Sequence, residues 1–306
     1  ASRRELSIGA SVAPFDAGIV PKAFAMRALD GTLFKYGPKS ANVAFRYGKN
    51  DKVAIVVGGL TDGLFATSYV DPLCRELDGL GISTVQTLLT SSHQGYGVCS
   101  LDEDAGELAD LVSALQRESD PPVSRYGVIG HSTGCQDAVR FCLRGGKPDF
   151  VVLQAPVSDR ESLGMHGQTE KNIKLAEDLV AQSGGQEVLM PLSTQEDGSP
   201  ITARRFLSLA AKGGDDEAFS SDLTDTELKN LLGHMDGVPT LVLQSGADEY
   251  IPHSEVDAVG QAKRLAAAMG SRARSIVIEG GSHALEDHTD EAVSTIKSFI
   301  MEVMLP

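Results

Sequence analysis

The chain has 306 residues, 42% hydrophobic and 23% charged, which suits one large globular domain or two smaller ones with a full buried core. A formal net charge of -15 excludes a nucleic-acid partner, because a phosphate backbone needs a basic face, and argues equally against anionic lipid. No apolar run approaches the roughly 20 residues needed to cross a bilayer, so no membrane partner is expected.

The chain opens with ASRRELSIGASVAP. Two arginines without a long apolar stretch do not make a secretory signal; the readings are a remnant of an organelle transit peptide or a frayed terminus. Strand-like pieces follow at 22–28 (KAFAMRA), 32–37 (TLFKYG) and 42–48 (NVAFRYG). Stronger runs come at 52–59 (KVAIVVGG), 81–89 (GISTVQTLL), 124–130 (SRYGVIG), 150–156 (FVVLQAP), 239–246 (PTLVLQSG) and 274–281 (RSIVIEGG). Continuous Val/Ile/Leu runs are what parallel strands buried on both faces require. Between them, 102–119, 136–144, 256–269 and 289–303 carry apolar residues at helical spacing. Such alternation predicts an α/β fold, a mostly parallel sheet with helices on both faces.

Residues 157–236 break the rhythm. They are polar and helical in pattern, and about 80 residues is far beyond an ordinary connection between helix and strand. The expectation is a helical cap inserted over one end of a core made of 1–156 and 237–306. Apolar residues of its amphipathic helices, such as Ile173, Leu175, Leu179, Phe206 and Leu209, should pack on the core or cover a pocket.

Four cysteines, Cys74, Cys99, Cys135 and Cys142, form no CxxC pair and no metal-ligand spacing, so they read as reduced thiols of an intracellular, cytoplasmic protein. Cys135 reads as a small apolar residue of a buried helix. No G-x-G-x-x-G follows a strand, so neither metal nor cofactor is expected.

The stretch YGVIGHSTGCQD, 126–137, carries the chemistry. Gly130-His131-Ser132-Thr133-Gly134 fits G-x-S-x-G, with a strand before it and a helix after it, the context of a nucleophile elbow. A serine hydroxyl needs a base to take its proton and an acid to orient that base. On this arrangement the order is Ser, then Asp or Glu, then His. Asp248 lies in a Gly-rich loop after the run at 239–244, with Glu249 adjacent and Asp159 as the alternative acid position. His283 follows the run at 274–279 and is the expected base; His253 and His288 read as solvated loop residues, and His131 as a local packing group. Acyl transfer also needs two N–H donors for the carbonyl oxygen. Thr133, after the nucleophile, supplies one, and Leu60, in the glycine-rich loop VVGGLTDGLF (56–65), the other. Asp62 in that loop either touches substrate or shapes the loop. A non-catalytic receptor on the same scaffold, or an amide or thioester hydrolase, is the alternative to an esterase; oligomeric state is not set by the sequence.

Ser132, Asp248 and His283 in this order resemble the α/β-hydrolase superfamily. The blocks GGLTDGLFATSYVDPL, QTLLTSSHQGYGVCSLDEDAGEL, GHSTGCQDAVRF, LQAPVSDRE and SGADEYIP resemble the DUF1749 (UPF0613) family over most of the core. The resemblance implies an α/β-hydrolase fold with serine-esterase chemistry on a small-molecule ester; fungal relatives include enzymes that hydrolyse ester bonds of hydroxamate siderophores. It also implies that His93, Tyr96, Asp159 and Arg160 line or support the substrate pocket.

Overall fold

The apolar runs assemble into one sheet. The computed structural model describes residues 26–195 and 197–305. Its eight strands are β1 (Thr32–Lys35), β2 (Val43–Tyr47), β3 (Lys52–Val57), β4 (Ile82–Leu88), β5 (Arg125–His131), β6 (Val151–Gln154), β7 (Thr240–Ser245) and β8 (Ala273–Ile278). They lie in the order β1-β2-β4-β3-β5-β6-β7-β8. Pairing is parallel from β4 through β8, while β1 and β2 join antiparallel at one edge.

Strand alternation divides the interior into two cores. Along β3, Val53, Ile55 and Val57 face one side, and Ala54 and Val56 the other. The first side is covered by α2 (Leu101–Glu118), α3 (Gly134–Leu143), α7 (Asp225–Leu232) and α8 (Ala258–Met269). The second is covered by α1 (Val70–Asp78) and α9 (Thr289–Met304). Helices therefore lie on both faces, as the alternation predicts. The start of α2 is fixed by a capping box, in which the Ser100 hydroxyl accepts from the Glu103 N–H and the Glu103 carboxylate accepts from the Ser100 N–H.

Two strand expectations need correction. Of 22–28, residues 22–25 lie outside the described part, and Met26–Ala28 form no strand. Arg27 instead bonds to Asp71 and to the Thr67 carbonyl, so this segment runs along α1. The run at 274–281 is not buried on both faces, because β8 is the sheet edge and Ile276 is 36% exposed. Arg274 partly covers that edge by lying over the Phe299 ring.

The segment between β6 and β7 holds α4 (Asp159–Gly164), α5 (Thr169–Gln182), α6 (Ala203–Ala210) and α7. Its two ends behave differently. Phe219, Leu223, Leu228 and Leu232 join the main core. Ile173, Leu175, Leu179, Phe206 and Leu209 instead form a separate apolar cluster of α5 and α6 that also includes Leu60 and Tyr96. No helix among the described residues is long and apolar enough to cross a membrane.

Leu111 of α2 is fully buried against the sheet. Leu111→Ala should cost about 2–5 kcal/mol of unfolding free energy. Val259→Ala, at a position 45% exposed, should stay within about 0.5 kcal/mol. Urea unfolding of both variants measures the difference; equal losses would mean that α2 does not anchor this core.

Candidate active site

Ser132 follows the last residue of β5 and holds φ at 54°, a left-handed backbone that L-residues adopt only at a cost. Its N–H donates to the Gln154 carbonyl (3.0 Å) and its own carbonyl accepts from the Cys135 N–H (2.8 Å), which pins the turn from both sides. Glycines make the crowding possible. A Cβ at Gly134 would stand 2.5 Å from the Val57 carbonyl oxygen, and one at Gly59 would stand 2.6 Å from the Ser132 Cβ. The loop after β3 therefore passes directly against the serine. Cys135 is fully buried, its Sγ lies 3.3 Å from the Gly130 carbonyl oxygen, and burial pushes its pKa up, in line with an inert core thiol.

The loops after β7 and β8 bring Asp248 and His283 together. His283 Nδ1 lies 2.9 Å and 2.8 Å from the two Asp248 oxygens, and the carboxylate is 0% exposed. Donation from Nδ1–H to a carboxylate leaves Nε2 as the basic nitrogen. Neighbours hold the ring in place. Glu249 accepts the His283 backbone N–H (2.9 Å), and Gln154 donates to the His283 carbonyl (2.9 Å). Tyr250 packs on the ring edge at 4.6 Å, and His131 lies at 4.9 Å on another side. Glu249 therefore braces the histidine loop and is not its acid. His253 is an exposed loop residue, as expected, and its Nε2 is also bonded to the Asp248 carbonyl.

The protonation of His131 follows from this network. Gln154 turns its amide NH₂ to the His283 carbonyl, so its oxygen faces His131 Nδ1 at 2.6 Å, and that nitrogen must carry the hydrogen. Burial, with the nearby His283 adding to it, lowers the His131 pKa to about 3, so the ring is neutral.

In the loop after β3, the Asp62 carboxylate accepts the Gly59 N–H at 2.8 Å, so Asp62 shapes this loop. Burial raises its pKa, while the Gly59 N–H, His283 and His93 act the other way. Neither the Leu60 nor the Thr133 N–H has an acceptor among the described residues. Both residues line a cavity of about 20 Å³, with room for one water, which lies behind the loop and extends to Asp104, Asp137 and Arg205.

The remaining expected residues meet other protein groups. His93 donates its backbone N–H to the Asp62 carbonyl (3.1 Å), and its ring lies over Gly63. The Tyr96 hydroxyl bonds to the Asp197 carboxylate (3.3 Å), and its carbonyl accepts from Arg205 Nε (3.0 Å). Asp159 accepts from the Gln136 side chain at 2.7 Å and is not the partner of His283. Arg160 pairs with Glu217 and Asp222. Among the described residues, no group of three or more His, Cys, Asp or Glu side chains is arranged to hold a metal ion.

Sequence reasoning missed a cluster of buried charge beside Thr133. Arg205 of α6 pairs with Asp216, and Asp104, Asp137 and Asp159 lie near them. One guanidinium cannot balance four ionised carboxylates away from water. Burial raises Asp104 to about 7 and, with Asp216 adding to it, Asp159 to about 7; Asp137 is pushed well up by burial and by Asp104. Burial opposes the Arg205 charge, but Asp216, Asp159 and Asp137 outweigh it and hold its pKa up. An arginine on the apolar face of an amphipathic helix, one residue before Phe206, was the only local signal.

A buried aspartate with a raised pKa keeps its proton where the unfolded chain, with a carboxyl near 3.9, has lost it. Its contribution to stability therefore falls as pH rises from about 4 to about 7, and is level above that. Asp104→Asn mimics the protonated acid and removes this slope. Relative to the parent protein, the variant should gain about 1–3 kcal/mol across that window in urea unfolding. A difference that stays constant from pH 4 to 7 would mean that Asp104 is already ionised in the fold.

With this geometry in place, the relatives of the chain are informative. The family model described as "Protein of unknown function (DUF1749)" matches residues 22–304. The fusarinine C esterase sidJ of Aspergillus fumigatus is 30% identical over 65% of this chain and 71% of its own. Esterase AN6793 of Emericella nidulans is 27% identical over 89% of this chain and 92% of its own. Among solved structures, the siderophore hydrolase EstB from Aspergillus fumigatus superposes with a TM-score of 0.78 at 26% identity, covering 94% of this chain and all of that one. Est1E from Butyrivibrio proteoclasticus, at 13% identity and a TM-score of 0.58, shares the fold. The chain has the α/β-hydrolase fold and belongs to the DUF1749 family.

Proposed function

We propose that the protein is a serine esterase that cleaves a carboxylic ester of a small or medium-sized molecule, with Ser132 as nucleophile, His283 as base and Asp248 as orienting acid. The observation that carries this reading is the buried Asp248–His283 pair, whose imidazole packs on His131, next to Ser132 held at φ 54° on a strand-to-helix turn. The names of relatives as esterases support the ester bond, and one named as a siderophore hydrolase and one named as a fusarinine C esterase make ester-linked siderophores and fusarinine C the first substrates to try.

The chemistry runs in two halves. His283 Nε2 takes the Ser132 proton as Oγ attacks the carbonyl carbon, and the carbonyl π pair moves onto oxygen. The Leu60 and Thr133 N–H groups hold that oxyanion. The C–O bond to the alcohol then breaks, and the alcohol leaves with the proton from His283. Water attacks the acyl-enzyme as His283 takes one of its protons; the Oγ–acyl bond then breaks, Ser132 Oγ takes that proton back from His283, and the carboxylic acid departs. Free N–H groups on Leu60 and Thr133 support their role as the oxyanion hole.

In this reading α4 to α6 act as the cap. Support comes from the α5–α6 cluster, which includes Leu60 of the proposed hole and Tyr96. Apolar cap residues then choose between large and small esters, at about 1–3 kcal/mol per methylene-scale contact.

Ser132→Ala should lower ester turnover by about a million-fold and abolish labelling by a fluorophosphonate, with the fold intact by circular dichroism. Near-parent turnover in that variant would end this reading. A second pair of variants separates the two acid positions. Asp248→Asn should cost on the order of ten-thousand-fold in kcat, because the imidazole loses its orienting carboxylate. Asp159→Asn should leave kcat within about tenfold, since an amide resembles the protonated acid expected there. The reverse ranking would move the acid to Asp159.

A further inference from the structure

Arg46 occupies a position where the fold calls for an apolar residue. Along β2 burial alternates, and Arg46 takes an inward place in register with Ala44, which is 0% exposed, while Arg46 itself is 7% exposed. Its Nη2 donates to the Asn50 carbonyl at 2.6 Å. Among the described residues its Nε has no acceptor and no carboxylate pairs with it. By contrast, the buried Arg205 has Asp216, and Arg160 has Glu217 and Asp222.

A buried charge without a counter-charge costs several kcal/mol, and proteins pair such groups as a rule. Burial lowers the Arg46 pKa, with no neighbouring carboxylate raising it back. The protein as a whole carries a net charge of -15, so carboxylates are plentiful, yet among the described residues none comes within ion-pair distance of this guanidinium.

Arg46 also lines a cavity of about 350 Å³, of the size that takes small organic molecules. Lys49 and Arg75 share its wall, as do Tyr47, Asp30 and Asp78. Asp78 is engaged by the Asn50 side chain (2.9 Å), and Arg75 by Asp71 (3.3 Å). The turn after β2 leads to the first residue of β3, so the cavity lies at the N-terminal ends of the parallel strands. Ser132 follows the C-terminal end of β5, at the opposite end of the sheet.

We propose that this cavity is a second binding site, which takes a small organic carboxylate on the Arg46 guanidinium. The planar fork of a guanidinium matches a carboxylate in two parallel hydrogen bonds. Asp30 and Asp78 in the same wall disfavour a doubly charged phosphate more than a singly charged carboxylate. Leu29 and Tyr47 offer apolar surface to the organic part.

The test is thermal unfolding of the full chain in sodium benzoate against sodium chloride of equal ionic strength, with inorganic phosphate as a third arm. Benzoate should raise Tm saturably, by about 2–4 °C at saturation, and phosphate should act no more strongly than chloride. Arg46→Met, which removes the unpaired buried cation, should melt in chloride no lower than the parent and lose the benzoate response. Lys49→Ala, at an exposed position, should fold normally and weaken the response several-fold, so the site stays testable if Arg46→Met does not fold. A benzoate effect equal to that of chloride would overturn the proposal, and so would saturation by phosphate alone. Benzoate held at the catalytic end would survive Arg46→Met and Lys49→Ala unchanged, and that result also counts against it.

Discussion

The close approach of three backbone segments around Ser132 is the constraint on which the site depends. β5 must end, turn through a left-handed residue and start α3, while the loop after β3 crosses within van der Waals contact of the serine. Only glycine at Gly59 and Gly134 leaves room for this. The strain is borne because parallel strands on both sides fix β5, and because the Ser132 N–H and carbonyl are both hydrogen-bonded. Gly59 thereby brings the loop that carries Leu60 directly against Ser132.

A second level of order surrounds this turn. Gln154, at the end of β6, touches three parts of the site at once: the Ser132 N–H through its carbonyl, His131 through its amide oxygen, and the His283 carbonyl through its amide nitrogen. On the far side, Arg205 joins α6 to the Tyr96 carbonyl, and the same small cavity reaches both Arg205 and Thr133. Burial pushes Asp137 and Asp159 toward their protonated forms around that arginine, which keeps the local charge nearer balance. The α5–α6 segment is thus tied to the Tyr96 backbone by the Arg205 guanidinium as well as by the apolar cluster that includes Tyr96 and Leu60.

How much of this was legible in the sequence follows from how local each feature is. The elbow was legible because strand, glycine, serine, glycine and helix are contiguous. Asp248 and His283 were legible because each lies just beyond a strongly apolar strand. The edge position of β8 was not, since an apolar run does not say how many neighbours the strand has. Met26–Ala28 read as strand by alternation alone, and the Arg27–Asp71 contact that places this segment on α1 spans 44 positions. The buried charge cluster was not legible for the same reason: Asp104, Asp137, Asp159, Arg205 and Asp216 come from different elements, and nothing in the order of the chain brings them together. Glu249 and Asp248 are adjacent in the chain, and only the fold separates them: Asp248 meets the His283 ring, and Glu249 the His283 backbone N–H. Arg46 carries no signal in the strand-like piece 42–48, and only its burial and an Nε without an acceptor among the described residues mark it.

An acyl group on Ser132 is the central claim, and rapid quench with an activated ester tests it most directly. On mixing with 4-nitrophenyl acetate, the account predicts a burst of one nitrophenol per enzyme, and acid-quenched protein whose acetyl mass maps to the peptide containing Ser132. Steady release without a burst would by itself leave fast deacylation open, so the mass is the deciding readout, taken with a slowly deacylating ester such as a 4-nitrophenyl pivalate. Acylation of any residue other than Ser132, or turnover of that ester with no acylated protein at any time, would contradict the account.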